Sequence, residues 1–456
     1  MSVSPPRPDQ LVPANLLELL QSSSGTVPRV IAGSMVAGVD ELSERCHKLR
    51  EGIFKPLYGR SVSLLCGEVV QFLVALVALD GWASAIFLST PGEEEDALTQ
   101  NESSARCEFR VTTLSDGISV VELKSESESA LGDRSLTHWI IATSGTTGVP
   151  KLVVHTFETL TRKVKRQNGA SADLRWGLLY DPARFAGLQV LLQAFAGGGT
   201  LIVPQDHTDL EGAMALLIGA GCNALSATPS LWRKLTMTKR LADLPLKIVT
   251  LGGEPADAKI LDHLRKQFPS ATIRHIYAST EAGVGFSVAD DLPGFPVSFL
   301  SEPPPGMSLC VRSDGMLMLK PDQQGPEFLK SSESISNEAG WIESGDLVEL
   351  KGDRYLFLGR ANGSVNVGGR KVHPSAVERV LLQVEGVQEA RVYSKANPIL
   401  GAVVAADVVA GTGIDPADLR NELLSHCRAS LERFEIPAFF KFVSNLEITS
   451  TGKIRR

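Results

Sequence analysis

The residues with the most chemistry per position lie in one nine-residue string, Thr143-Ser144-Gly145-Thr146-Thr147-Gly148-Val149-Pro150-Lys151, which follows the apolar run HWIIA. Glycines let backbone N–H groups come close to an anion, the Ser and Thr hydroxyls add donors, and Lys151 adds positive charge. Together they suit a polyphosphate. The spacing is not GxxxxGK[ST], because Val149 and Pro150 separate Gly148 from Lys151, so an ordinary P-loop nucleotide hydrolase is disfavoured. Composition alone would allow a Ser/Thr/Gly surface turn, but the length and order of the string argue against it. A strand before it and a helix after it are expected.

The string resembles the phosphate-binding signature of the adenylate-forming superfamily, which includes acyl-CoA synthetases, peptide-synthetase adenylation domains and luciferases. The resemblance implies that Thr143, Ser144, Gly145, Thr146, Thr147, Gly148 and Lys151 hold the phosphates of ATP. Further motifs follow in the superfamily's order, and independent chance matches would have no reason to keep that order. Tyr277-Ala278-Ser279-Thr280-Glu281 ends an apolar run and resembles the aromatic-x-x-Thr-Glu signature. By that resemblance Tyr277 lies against adenine, Ala278 and Ser279 belong to the nucleotide site, Thr280 meets the α-phosphate and Glu281 is the metal ligand, on Mg²⁺. An aromatic face can stack on a base, and a hard carboxylate suits Mg²⁺. Taken singly, Thr-Glu reads as a helix cap.

Upstream, Gly252-Gly253-Glu254-Pro255 resembles the Gly-Gly-x-Pro loop lining the adenine and acyl pockets, although a glycine turn after a strand is commonplace. Downstream, Ser344-Gly345-Asp346 resembles the element whose carboxylate holds both ribose hydroxyls; an Asp in a polar turn would otherwise cap backbone. Gly359-Arg360 and the run from Gly368 and Gly369 through Lys371 resemble the hinge and the thiol-side loop that follows it, with Arg360 on the nucleotide. Thr449-Ser450-Thr451-Gly452-Lys453 resembles the segment that delivers the lysine for adenylation, so Lys453, Thr280 and Glu281 are the implied catalytic residues.

The chain departs from the pattern in places. The hinge position holds Asn362, neutral and tolerant of unusual backbone angles, where Asp or Lys is common. Asn366 replaces a lysine of many members, which leaves that lysine's part in the thioester step without a counterpart. Arg184 stands three residues before Gly187, where many relatives have His; a guanidinium there could pair with a second acidic or polar group of the substrate, or simply face solvent. Arg184, Gly187, Ala282 and Gly283 are the acyl-pocket candidates, within segments 184–189, 226–231 and 282–287. The phosphate string also comes early in the chain, so some N-terminal decoration of relatives is expected to be missing.

Elements that would position these residues can be read from periodicity. Residues 61–88 run strand, helix, Gly81, strand, as in a βαβ unit with buried parallel strands. Short apolar runs at 200–204, 246–251 and 272–277 repeat the alternation. Past Gly340, GWIESGDLVEL and RYLFLGR read as strands divided by polar turns. Pro374 opens a helix with Val377, Val380, Leu381 and Val384 on one face, and strands at 389–393 and 401–409 follow. Asp415 and Pro416 suit the N-cap and first position of a last helix, with Leu419, Leu423, Leu424 and Leu431 on its apolar side. The expected fold is α/β: a large layered α/β N-terminal domain, residues 1–359, and a small mobile α+β C-terminal domain, residues 360–456, with a hinge near 360–362.

Composition narrows the classes. A length of 456 residues exceeds one hydrophobic core, and 43% hydrophobic with 21% charged residues is ordinary for a folded chain. A net charge of -7 without a dense basic stripe makes nucleic acid a poor partner. The six cysteines form no CxxC pair, which fits reduced, buried thiols rather than a disulfide frame or zinc site. The N-terminus lacks a secretory pattern, and the apolar run at 69–79 is too short to span a bilayer, so a buried helix and a soluble, cytoplasmic protein are expected. The resemblance then implies ATP-dependent activation of a small carboxylic acid as acyl-AMP with Mg²⁺, and transfer to the thiol of CoA. A phosphopantetheinyl carrier protein is the alternative acceptor. Luciferase-like oxidation of the adenylate and a non-catalytic nucleotide-binding protein rank below, the second opposed by the joint presence of Lys453, Glu281 and Asp346.

Overall fold

The computed structural model describes residues 13–22, 29–90, 94–123, 136–143, 151–164, 172–206, 209–323, 326–329, 334–397, 401–449 and 452–455. The chain forms two compact units, Met1–Ala224 with Gly325–Glu333, and Leu225–Gln324 with Ser334–Arg456.

In the first unit, strand Ser61–Leu65 lies between Ala85–Ser89 and Phe109–Leu114, parallel to both, and His138–Ala142 extends the parallel run. The crossover helix Val69–Leu79 explains the register: all its residues except Gln71 are buried, and Glu68 caps it by accepting from Val70 N and Gln71 N at 3.0 and 2.7 Å. An all-round apolar helix is stable only when covered, and the sheet covers it. A second parallel group in this unit, Arg175–Leu178, Thr200–Ile202 and Val30–Ala32, ends in an antiparallel hairpin to Met35–Ala37.

One expectation fails here. Lys151 leads not into a helix but into strand Leu152–His155, antiparallel to His138–Ala142 with Ala142 opposite Leu152. The sequence Leu-Val-Val suits a pleated surface, where Val153 is fully buried, and the helix waits for the capping box at Thr156 that opens Phe157–Thr161. The phosphate string therefore joins the two arms of a hairpin. Thr143 closes its neck, donating to the Lys151 carbonyl from its backbone N (2.9 Å) and Oγ1 (3.2 Å).

In the second unit, Ile248–Gly252 runs parallel to Thr272–Ser279, which pairs antiparallel with Gly283–Val288. Helices Pro229–Met237 and Ala258–Gln267 belong to the same unit. A five-stranded antiparallel sheet runs in the order Phe295–Pro296, Arg354–Arg360, Ile342–Lys351, Met316–Pro321, Met307–Val311. A smaller α+β lobe follows. Its hairpin Val365–Val367/Arg370–Val372 turns on Gly368 and Gly369, and Asn366 Oδ1 accepts from Gly369 N at 2.9 Å. Helix Pro374–Leu381 packs on the long hairpin Val387–Asn397/Gly401–Ala410, and Phe439–Phe442 joins that hairpin in parallel. Val377, Leu381, Val392, Val404, Leu419 and Leu423 form the lobe's core. Val384 falls in the turn after its helix rather than on it, yet stays buried. Asp415 caps Pro416–Ser430 as expected, accepting from Ala417 N and Asp418 N. The mixed α/β architecture with a larger N-terminal part and a smaller C-terminal one is the expected fold class.

Candidate active site

Within the second unit several motif residues meet. Strand Thr272–Ser279 ends by carrying Tyr277 beside two other rings, Phe286 at 5.2 Å and Phe357 at 5.3 Å, both nearly parallel to it. Its hydroxyl donates to Asp346 Oδ2 at 2.6 Å. Asp346 also pairs with Arg360 Nε at 3.1 Å, and Arg360 donates to the Ser344 carbonyl at 2.9 Å. Ser344 Oγ accepts from Asp346 N, fixing the turn. Gly345 makes this packing possible: at φ +75° any other residue is strained, and a Cβ there would sit 3.0 Å from Arg360 Nη1.

The C-terminal lysine arrives on its own turn. Thr449 N donates to the Lys453 carbonyl (2.7 Å), Gly452 N to the Thr449 carbonyl (2.8 Å), and Ile448 bridges Ile454. The turn is docked on residues that follow strand Ala224–Ala227 and strand Ile248–Gly252. Thr228 Oγ1 donates to the Gly452 carbonyl, and Glu254 holds both sides, accepting from Ser230 N (3.0 Å) and Ile454 N (3.4 Å). Gly253, at φ +80°, lies directly under the lysine stem: a Cβ there would be 3.3 Å from Lys453 Cε.

The charges in this cluster feel one another. Burial pushes the Asp346 carboxyl up, opposed by Arg360, the Tyr277 hydroxyl and Lys453 and reinforced by Glu281. Burial lowers Lys453, with Arg360 acting the same way and Glu254 and Asp346 opposing. Tyr277 is raised by burial and then by the Asp346 charge, so it remains a neutral donor. The arrangement sets two cations, Lys453 and Arg360, among the carboxylates Asp346, Glu254 and Glu281 in partly desolvated surroundings.

Thr280 and Glu281 sit half-buried in the turn before Gly283–Val288, a strand, so the helix-cap reading of Thr-Glu has no helix to serve. Among the described residues no three His, Cys, Asp or Glu side chains form a metal cage. One carboxylate, Glu281, fits Mg²⁺, which retains water and phosphate oxygens and takes few protein ligands. Ala282 is buried among Phe286, Phe295 and Leu319, and Gly283 begins the strand. Asn362 occupies a short 3-10 turn, Ala361–Gly363, without a positive φ, so its tolerance for unusual angles is not used here. Gly368, Gly369 and Lys371 are exposed on their hairpin.

In the first unit, Ser144, Gly145, Thr146, Thr147 and Gly148 lie outside the described residues. Lys151 Nζ stands 5.0 Å from the centre of the Phe328 ring. Arg184, half-buried at the N-terminus of helix Phe185–Ala196, donates to the Ala142 carbonyl (3.1 Å) and Thr90 Oγ1 (3.2 Å). It thus grips the strand end that leads into the phosphate string. Gly187 is buried against the backbone of Asp181 and Pro182. The cysteines are mostly buried, and burial pushes the thiols up, Cys46 and Cys427 to about 11 and Cys222 to about 12, which leaves them inert.

Sequence reasoning missed Phe357; it placed Thr228 and Phe286 only within the acyl-pocket candidate segments 226–231 and 282–287, and assigned no anchoring role to Thr228 or Glu254. Thr228-Pro229 carried a readable signal, a good N-cap before proline at the first helical position.

The mixed α/β fold with a smaller C-terminal lobe is that of the adenylate-forming enzymes. Comparison with known proteins is more specific: the chain belongs to the AMP-binding enzyme family, whose model matches residues 59–333, with the AMP-binding enzyme C-terminal domain matching residues 376–453. A 2-succinylbenzoate–CoA ligase of Listeria monocytogenes is 28% identical over 335 residues, 71% of this chain and 70% of that protein. The human mitochondrial acyl-coenzyme A synthetase ACSM2B is 24% identical over 98% of this chain and 73% of that one. Among solved structures, the anthranilate CoA ligase AuaEII with anthranoyl-AMP superposes with a TM-score of 0.79 at 14% identity, covering 97% of this chain and 96% of that one. The latter supports the fold. Enzymes of the family use ATP with Mg²⁺, and the named ligases use CoA.

Proposed function

We propose that this chain is an AMP-forming acyl-CoA synthetase. A carboxylate oxygen of a small organic acid bonds to the α-phosphorus of MgATP as the bond to the β-phosphate bridging oxygen breaks, releasing pyrophosphate. The thiol sulfur of CoA then bonds to the acyl carbon, AMP leaves, and the thiol proton passes to solvent. The observation that carries the reading is the docked turn that brings Lys453 over Gly253, in electrostatic reach of Asp346, Arg360 and Glu254.

In the first step the Lys453 ammonium bridges the acid and the α-phosphate, a preorganised charge worth about 3 kcal/mol. Asp346, oriented by Tyr277 and Arg360, holds the ribose hydroxyls. The string from Thr143 to Lys151 is assigned to the phosphates by its motif in the sequence. Mg²⁺ bound with the nucleotide would neutralise triphosphate charge, with Glu281 as its protein ligand. In the second step a small domain, residues 360–456, turns at Asn362 and presents Gly368, Gly369 and Lys371 to the thiol. The names of the relatives support CoA as acceptor. A carrier-protein thiol is the second reading, favoured by the match to surfactin synthase subunit 2 of Bacillus subtilis, 24% identical over 98% of this chain and 14% of that protein. Among the described residues no helix is long and apolar enough to cross a membrane.

The test is a carboxylic-acid panel scored by ATP–pyrophosphate exchange, first without CoA and then with it. Exchange with one acid class and CoA-dependent thioester is the expected result. Exchange without thioester until a phosphopantetheinyl carrier is added selects the second reading. Oxidised product without a thiol indicates luciferase-like chemistry, and no exchange with any acid overturns the enzyme reading.

A further inference from the structure

Helix Pro229–Met237 touches the Lys453 segment at its start, through the N-cap Thr228, and again further along its length. There Lys234 Nζ pairs with Glu389 Oε2 at 3.4 Å and donates to Asn445 Oδ1, both in the second unit. This cluster plays no part in the chemistry derived above. Its burial is unusual: the side chains of Lys234 and Glu389 are 9% and 1% exposed. Lys and Glu are almost never buried to this extent unless paired, and such a pair contributes little net stability because desolvating two charges offsets their attraction. What a buried pair can supply is a preferred geometry between the elements that carry it, one that is given up when the lobe turns for the second step.

Those elements are informative. Glu389 lies in strand Val387–Asn397, and Asn445 begins the segment that becomes the Lys453 turn. A second tie has the same sense: Lys259, in helix Ala258–Gln267, donates to the carbonyls of Val384 (3.2 Å) and Val387 (2.8 Å). The turn is therefore held at its tip by Thr228 and Glu254, and at its root by Lys234 through Asn445.

We propose that Lys234, Glu389 and Asn445 are positioning residues for Lys453: the buried pair fixes where the root of the C-terminal turn sits, and with it the reach of the ammonium. The proposal rests on the adenylation role assigned to Lys453. It separates from a merely structural role because it concerns one half-reaction. Moving the root of the turn by a fraction of an ångström degrades a step that requires the ammonium in place, and leaves a step that does not.

The experiment uses the full chain and the preferred acid from the panel. Lys234→Met/Glu389→Leu removes both charges while keeping apolar volume, so folding is retained or improved in a urea titration. The expected result is at least a tenfold loss of kcat for ATP–pyrophosphate exchange, KM for ATP and acid within twofold, and thioester formation from presynthesised acyl-AMP plus CoA within twofold of the parent. Lys234→Arg, which keeps the charge pair, is expected to retain most exchange. Asn445→Ala alters an exposed residue and provides a reading if the double variant does not fold; a threefold or larger loss confined to exchange is expected. Exchange within twofold of the parent in a folded variant, or equal loss of both half-reactions, overturns the proposal. Lys453→Ala is run alongside. If it leaves exchange intact, the role of Lys453 has failed; if it abolishes exchange while Lys234→Met/Glu389→Leu does not, only the positioning has failed.

Discussion

Replacing Tyr277 by phenylalanine removes one oxygen and leaves the ring between its neighbours, so the consequences can be worked from a single hydrogen bond. That bond, 2.6 Å from the hydroxyl to Asp346 Oδ2, joins a neutral donor to a carboxylate, an arrangement worth about 1.5–3 kcal/mol. The lower part of that range applies. Asp346 keeps Arg360 at 3.1 Å, and Arg360 is 54% exposed, so water can replace part of what is lost. A loss of about 1–2 kcal/mol is expected in a urea titration. Asp346 is raised by burial and held down by Arg360 and the Tyr277 hydroxyl; without the hydroxyl it rises further. A carboxyl raised in the folded state destabilises as pH climbs from its unfolded value through its folded one, so the Tyr277→Phe deficit is full at neutral pH and shrinks in acid, where Asp346 is protonated. If the carboxylate holds the ribose hydroxyls, its looser hold raises KM for ATP in the exchange assay severalfold, by no more than the roughly 30-fold equivalent to 2 kcal/mol. The assay is repeated with 2′,3′-dideoxy-ATP, which lacks those hydroxyls and for which the variant and parent should agree within twofold. An equal rise with both nucleotides, or no rise with ATP, refutes the chain of reasoning from Tyr277 through Asp346 to ribose.

Four further outcomes are expected. Lys453→Ala loses about 100-fold or more in exchange while converting presynthesised acyl-AMP and CoA to thioester, and equal loss in both steps would instead indicate a misfolded lobe. Because burial lowers the Lys453 ammonium, parent exchange falls off in alkali at a pH below the ordinary lysine value, and Glu254→Gln, which removes an opposing carboxylate, moves that limb lower still; an unmoved limb counts against Lys453 as the titrating group. Glu281→Gln loses most exchange at limiting Mg²⁺, whereas near-normal activity there would remove the metal-ligand role. Arg184→Ala, which removes the bonds to the Ala142 carbonyl and Thr90 Oγ1, lowers exchange with all acids alike; a changed ranking of acids would instead place Arg184 in substrate choice.

Local order was legible where the pattern was strong. The apolar run at 69–79, with Glu68 before it and strands on both sides, admits little but a buried crossover helix, and it is one. Asp415-Pro416 announced a helix start by capping chemistry alone. The strand after Lys151 was obscured because Leu-Val-Val is too short to show a period, and a glycine-rich phosphate loop usually raises the expectation of a following helix. Asn362 was singled out as the hinge position because its side-chain type tolerates unusual angles, and in this structure its φ is not positive. The motif residues of the candidate site could be named from order along the chain, but the contacts that hold them could not. Glu254 reaching Ile454, Thr228 reaching Gly452 and Lys234 reaching Glu389 join residues remote in sequence, and no periodicity records such pairs.

The ring stack of Tyr277, Phe286 and Phe357 has a mechanical meaning. Phe357 lies in strand Arg354–Arg360, just before the proposed pivot, and is moored there by aromatic packing and by the register with Ile342–Lys351. Across the pivot, Arg379 of helix Pro374–Leu381 donates to the Phe357 carbonyl at 3.1 Å and pairs with Glu349 at 2.6 Å. If the lobe swings about Asn362, the moored strand is the stator and Arg379 is a detent that must slip before anything turns. A spectroscopic label on Tyr355 would then stay silent through the catalytic cycle, while the loosening of Arg379 would mark the moment at which the enzyme stops making adenylate and begins to spend it.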